Sequence, residues 1–114
     1  MTLKSMFLTS VLIAKFSLAA TPPVDCFSTI VAYPHYLEKP LAIKACKGTT
    51  DASSVVTCYS SATQYPTYLS KEEAVELCAG AHPNVQPNTC YSEAIAYPVY
   101  LSKFEAIKLC RARH

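Results

Sequence analysis

Cysteine is the residue type whose number and spacing in this chain could do chemistry. Six occur, at Cys26, Cys46, Cys58, Cys78, Cys90 and Cys110, with gaps alternating between 20 and 12 residues. Structural zinc favours closely spaced pairs such as CxxC, and the sequence has none. An even number of cysteines in a small chain points instead to a disulfide framework in an oxidising compartment. The histidines, His35, His82 and His114, occupy non-equivalent places and are expected to be exposed bystanders. Nucleophilic catalysis needs a base and an orienting acid beside a serine or thiol, and no such arrangement is visible. Glu72, Glu73 and Glu76 cluster, but acid–base work needs a pocket to separate their pKa values, and so small a stapled chain offers little buried volume. The chain is therefore expected to be noncatalytic, with no metal and no cofactor.

Tyrosine is the second candidate. There are eight tyrosines and no tryptophan, and the string Tyr-Pro-x-Tyr-Leu occurs three times. Two readings of the rings stand side by side. They could fill the core, where a hydroxyl can stay wet while the ring is buried. Alternatively, Tyr36, Tyr68 and Tyr100 stand exposed as stacking platforms for a glycan or a partner protein, tyrosine being enriched in recognition surfaces.

What must position these residues is a repeat. Cys26, Cys58 and Cys90 are 32 residues apart, as are Cys46, Cys78 and Cys110. The blocks CFSTIVAYPHYLEKPLAIKAC, CYSSATQYPTYLSKEEAVELC and CYSEAIAYPVYLSKFEAIKLC agree at nine positions: both cysteines, Ser28, Tyr33, Pro34, Tyr36, Leu37, Lys39 and Ala42 with their counterparts. Such self-similarity at fixed period marks a tandem repeat. The connecting segments KGTTDASSVVT and AGAHPNVQPNT are 11 residues each and share little beyond Gly48 and Gly80. Rich in Thr, Ser, Gly, Pro and Asn, they read as loops.

Within each block, Ser102 with Glu105 and Ser70 with Glu73 form capping boxes, and Leu101 can fold onto Ala106 as a hydrophobic staple. Helices over 103–110 and 71–78 are predicted. The first copy has Glu38 at the cap and Pro40 in the first turn, which a helix tolerates. Gly48 and Gly80 sit where a left-handed C-terminal cap would want them. In the front half, Asp25, Thr57 and Thr89 precede the first cysteine as candidate N-caps, and Tyr33, Tyr65 and Tyr97, each before a proline, should end the segment. A short helix is expected there, with an extended strand as the alternative. The helix is favoured because Tyr91, Ala94 and Tyr97 fall on one helical face.

Two antiparallel helices joined by Pro-x-Tyr-Leu bring the two cysteines of a block to the same open end. The expected bonds are Cys26–Cys46, Cys58–Cys78 and Cys90–Cys110, with bonds between neighbouring copies, such as Cys46–Cys58, as the alternative. Each link removes roughly 3 kcal/mol of unfolded-chain entropy. Units below about 40 residues seldom fold without such a staple.

The whole 114-residue chain thus divides into a signal peptide over 1–20, repeat 1 over 21–48, a linker over 49–57, repeat 2 over 58–80, a linker over 81–89, and repeat 3 with a basic tail over 90–114. The signal reading rests on Lys4, the apolar run Met6 to Ala14, and the small residues Ser17, Ala19 and Ala20. That run is shorter than the ~20 residues a membrane span needs. Without Lys4 and Lys15, eight basic residues remain against eight acidic ones, which leaves no surplus for nucleic-acid or polybasic membrane binding. Glu72, Glu73 and Glu76 against Lys103, Lys108, Arg111 and Arg113 are expected to be solvated helix faces. The fold class is all-α and disulfide-rich, three tandem two-helix hairpins. The expected function is a secreted binding module for an extracellular protein or glycan, without stable membrane insertion. A small inhibitor or toxin-like effector, or a structural envelope protein, is the alternative.

Overall fold

Among the described residues six helices follow one another: α1 (Pro22–Ile30), α2 (Lys39–Cys46), α3 (Ala52–Thr63), α4 (Lys71–Cys78), α5 (Pro87–Ile95) and α6 (Lys103–Cys110). They come from a computed structural model that describes residues 20–112, so the signal-peptide reading and the residues 113–114 lie outside the described residues.

The second helix of each pair starts where its sequence provides a start. The Glu73 N–H donates to the Ser70 hydroxyl (3.1 Å), and the Ser70 N–H donates back to the Glu73 carboxylate (2.9 Å). Ser102 and Glu105 repeat the exchange at 3.3 and 3.0 Å. Two orphan donors are thereby satisfied at each helix start. Lacking the serine, α2 begins at Glu38 with no side-chain cap and with Pro40 in its first turn, whose fixed φ suits that position. After α2 and α4 the chain turns through Gly48 (φ 69°) and Gly80 (φ 85°), as expected of left-handed caps.

The first helices depart from expectation at their starts. Asp25, Thr57 and Thr89 are not caps; they lie inside α1, α3 and α5. The actual N-caps are Thr21, Asp51 and Gln86. At Asp51 the carboxylate accepts from the Ser54 N–H (3.3 Å) and the Ser53 hydroxyl (3.0 Å), which holds its pKa below the ordinary range. Proline in the first turn does the corresponding work in α1 and α5. Residues 52–57 of the first connecting segment and 87–89 of the second, both read as loop, are therefore helical. The gain is burial: Val55 and Pro87, both outside the blocks, sit in the core.

Each pair of helices is closed by its own disulfide, Cys26–Cys46, Cys58–Cys78 and Cys90–Cys110, with Cα separations of 5.6, 5.6 and 5.5 Å. No bond crosses between repeats and no cysteine is left over. The hairpins stack in register: α1 packs on α3 and α3 on α5, while α2 packs on α4 and α4 on α6. One continuous core runs through all three, from Ile30 and Ala45 through Val55, Val75 and Leu77 to Ala106 and Ile107. Each repeat leans only on its neighbours, the organisation of a short helical solenoid.

Candidate binding surface at the hairpin tips

The tips opposite the disulfides are three copies of one construction. In the first, the His35 and Tyr36 N–H groups both donate to the Ala32 carbonyl (3.0 and 3.1 Å), and the Leu37 N–H donates to the Ile30 carbonyl (3.1 Å). The same three bonds recur from Thr67, Tyr68 and Leu69 and from Val99, Tyr100 and Leu101, at 2.8 to 3.0 Å. The Tyr-Pro peptide is cis in every copy. Proline sits at the third position of a four-residue turn, where a cis bond defines the type VI class. Leu37 and Leu69 then drop into the core, and Leu101 packs partly against it.

For the leucine to turn back, the preceding residue must take the left-handed region. Tyr36, Tyr68 and Tyr100 have φ of 49°, 48° and 53°. Glycine visits that region freely, whereas a residue with a Cβ pays roughly 1–2 kcal/mol for it. The rings recover little by burial, being 62%, 67% and 68% exposed. Each meets the other tyrosine of its own tip edge to face: Tyr33–Tyr36, Tyr65–Tyr68 and Tyr97–Tyr100, with centroids 6.1, 6.1 and 6.0 Å apart and planes crossing at 70° to 72°. Edge-to-face pairing at that distance suits the ring quadrupoles.

Three predicted site residues thus stand in solvent at equivalent places. Their partners were not foreseen. Tyr33, Tyr65 and Tyr97 are legible in the sequence only as helix terminators, with Tyr97 expected on one helical face with Tyr91 and Ala94. Tyr91 and Ala94 are buried, but Tyr97 is exposed, because α5 has already ended at Ile95 and the turn swings the ring outward. The signal that could have found it is the identity of the whole Tyr-Pro-x-Tyr-Leu string in three copies. The core role falls to the other tyrosines, Tyr59 and Tyr91, whose hydroxyl pKa values burial pushes up.

The charged residues are more than solvated faces. Lys71 Nζ meets Glu38 at 3.2 Å, Lys103 meets Glu73 at 3.3 Å, and Glu76 takes both Lys44 (3.1 Å) and Arg111 (2.7 Å). Every one of these pairs joins adjacent repeats. Lys44 first, then Arg111, holds the Glu76 carboxyl below its ordinary range, and the Ser70 backbone N–H, seconded by Lys103, does so for Glu73. Such part-exposed pairs contribute about 0–1 kcal/mol each and serve register more than stability. His35 is no bystander: its ring packs edge-on against Tyr59 of the next repeat at 5.7 Å. His82 Nδ1 accepts from the Asn84 N–H at 3.3 Å.

A cleft of about 310 Å³ lies between α3 and the segment leading into α5, lined by Ser54, Thr57, Ser61, His82 and Asn88 among others. His82 is the one titratable side chain in its lining. Among the described residues no three of His, Cys, Asp and Glu are grouped to hold a metal, and no helix is long and apolar enough to cross a membrane. The six tip rings form three near-identical aromatic pairs, one at each tip of the stacked hairpins. The chain matches no family model, and neither a similar relative nor a similar solved structure was found for it.

Proposed function

We propose that the protein is a secreted, noncatalytic binding module that lays its tyrosine pairs along an extended extracellular ligand, a glycan or an extended peptide. One observation carries the reading. Where only a left-handed turn is needed, after α2 and α4, the chain uses glycine, and a Cβ on Gly48 would meet nothing within 4 Å. Where the same region recurs at the tips it uses tyrosine, three times, although the blocks differ at twelve of their 21 positions. A costly backbone state under an exposed ring is a reason to look for a task in solvent.

Spacing supports an elongated ligand. Packed helices lie about 8–10 Å apart, so neighbouring tips repeat at about that interval. A polyproline II peptide completes a turn in about 9 Å and offers a face at each. Three weak platforms on one rigid edge gain through effective concentration. The three disulfides favour an oxidising compartment outside the cell.

The test is a glycan array and a proline-rich peptide library probed with the intact protein, followed by the triple variant Tyr36→Ala, Tyr68→Ala, Tyr100→Ala on whatever is captured. Binding is expected to disappear while the helical circular dichroism is unchanged. A triple variant that binds like the parent, or a parent that captures nothing from either collection, overturns the reading.

A further inference from the structure

Among the described residues, the two end repeats each leave exposed part of a face that the chain buries twice between its repeats. The helices of repeats 2 and 3 pack on those of the repeat before them, and Val55, Tyr59 and Val75 in repeat 2 and Pro87, Tyr91 and Ile107 in repeat 3 are all buried, Tyr59 against His35 of repeat 1. The equivalent residues of repeat 1, Pro23, Phe27 and Ile43, keep the apolar pattern, but no repeat precedes them among the described residues. Ile43 is 57% exposed where Val75 is 0%.

The opposite face shows the same contrast. Ala45 and Leu77 are 0% exposed in repeats that another repeat follows, whereas Leu109, at the same repeat position, is 63% exposed. His35 packs on Tyr59 of the following repeat, whereas its counterpart Val99 stands in solvent. End repeats of a solenoid ordinarily need a polar outer face to stay soluble as single stacks. Here both outer faces remain apolar at the positions that make the internal contacts.

We propose that the two faces join in trans, repeat 3 of one copy seating on repeat 1 of a second copy as repeat 2 seats on repeat 3. Val99 then meets Phe27, Leu109 meets the layer that holds Ile43, and Lys39 reaches Glu105 as Lys103 reaches Glu73. The interface is heterologous, so assembly runs head to tail into rods or closes as a ring. It stands on observations separate from the tyrosine reading, and its effect on that reading would be a longer row of tips.

Charge sets its strength. Within the chain Glu76 is flanked by Lys44 of the preceding repeat and Arg111 of the following one. At the junction the counterpart of Glu76 is Lys108, and it would face Lys44 and Lys47 of the next copy. Lys44 already pairs with Glu76, and Lys108 offers it no second carboxylate, so Lys108→Glu, which restores the internal pattern, strengthens the contact.

Sedimentation velocity of the intact, disulfide-bonded protein across a concentration series tests this. The parent is expected to grow past the dimer as concentration rises, and Ile43→Glu and Leu109→Glu each to remain monomeric. Mixed in equal amounts, the two variants should form a dimer and nothing larger, since each retains one unaltered face. Lys108→Glu should bring on assembly at an about fivefold lower concentration. Both altered residues are solvent-exposed, so folding is checked simply by circular dichroism matching the parent. A parent that stays monomeric into the millimolar range overturns the proposal. So does a mixture of folded variants that fails to dimerise, or an Ile43→Glu variant that assembles like the parent.

Discussion

At the stapled end of each hairpin the chain hides its distinctive residues; at the tip it displays them. Cys26, Cys46, Cys58, Cys78 and Cys110 are buried, together with Val75 and Leu77, and the end is held by covalent bonds and apolar contact. The tip is held by three backbone hydrogen bonds and one buried or half-buried leucine, while two tyrosines per copy point into water. Both ends are repeated, the two cysteines and the Tyr-Pro-x-Tyr-Leu string standing in every copy. The stapled end needs its residues in order to fold, whereas at the tip the residues that shape the turn, Pro and Leu, are separable from the rings it carries. Stability and display therefore reside in different residues, and substitutions can pull them apart.

The largest effect should come from the stapled end. Replacing Cys58 and Cys78 together by serine removes a link across 20 residues and should cost about 3 kcal/mol. In a domain of this size that lowers the melting temperature by roughly 12–24 °C. Thermal denaturation followed by circular dichroism measures it, and a shift of only a few degrees would mean that stacking between repeats, not the staple, holds the hairpin. Next is the leucine on which the tip pivots. Leu69 is buried, its N–H donates to the Ala62 carbonyl at 2.8 Å, and Leu69→Ala should cost about 2–4 kcal/mol by loss of burial and the cavity left behind. A cost as small as that of an exposed residue would place the tip outside the cooperative fold.

Smaller, and located between the two ends, is the cap. Ser70→Ala should cost about 1 kcal/mol by freeing the Glu73 N–H. The same box fixes the response to acid. Glu73 and Glu105 both have carboxyl pKa values lowered in the fold, chiefly by the Ser70 and Ser102 backbone N–H groups. A depressed folded pKa gives stability that is present above the unfolded value, near 4.3, and lost as pH falls through the folded one. The melting temperature should thus hold from neutrality to about pH 5 and decline below about pH 4. The Ser70→Ala variant keeps the backbone N–H that chiefly lowers the Glu73 pKa, so its decline with acid should run nearly parallel to the parent's.

The comparison also explains what could be read in the chain before its structure. The staples and the second helices were legible because cysteine spacing and two Ser-x-x-Glu boxes each act through one local mechanism: the bonds and the helices Lys71–Cys78 and Lys103–Cys110 are as predicted. The starts of α1, α3 and α5 were not legible. Serines and threonines around Val55 suit a loop as well as a helix, and the decision rests on Val55 finding a place in the core. The ion pairs were hidden for the same reason. Glu38 and Lys71 are 33 residues apart, and only stacking brings them to 3.2 Å. Ring direction at the tips depends on one backbone angle, and a residue type that ordinarily avoids positive φ gives no warning that it will adopt it.

That angle gives the smallest effect and the sharpest separation of the two ends. Tyr68→Ala and Tyr68→Gly both delete the ring and its edge-to-face contact with Tyr65, so their binding should fall equally. They differ only in the backbone. At φ 48° alanine keeps the Cβ clash that tyrosine has and glycine relieves it, so the glycine variant should be the more stable of the two by about 1 kcal/mol. Equilibrium denaturation resolves such a difference. At an ordinary helical or extended angle the order reverses, since glycine then loses more conformational freedom on folding than alanine does. The sign of this one comparison therefore reports the turn itself: glycine above alanine means that the chain holds tyrosine at the tip against its own backbone preference, and alanine above glycine removes the reason for assigning the ring a role in solvent.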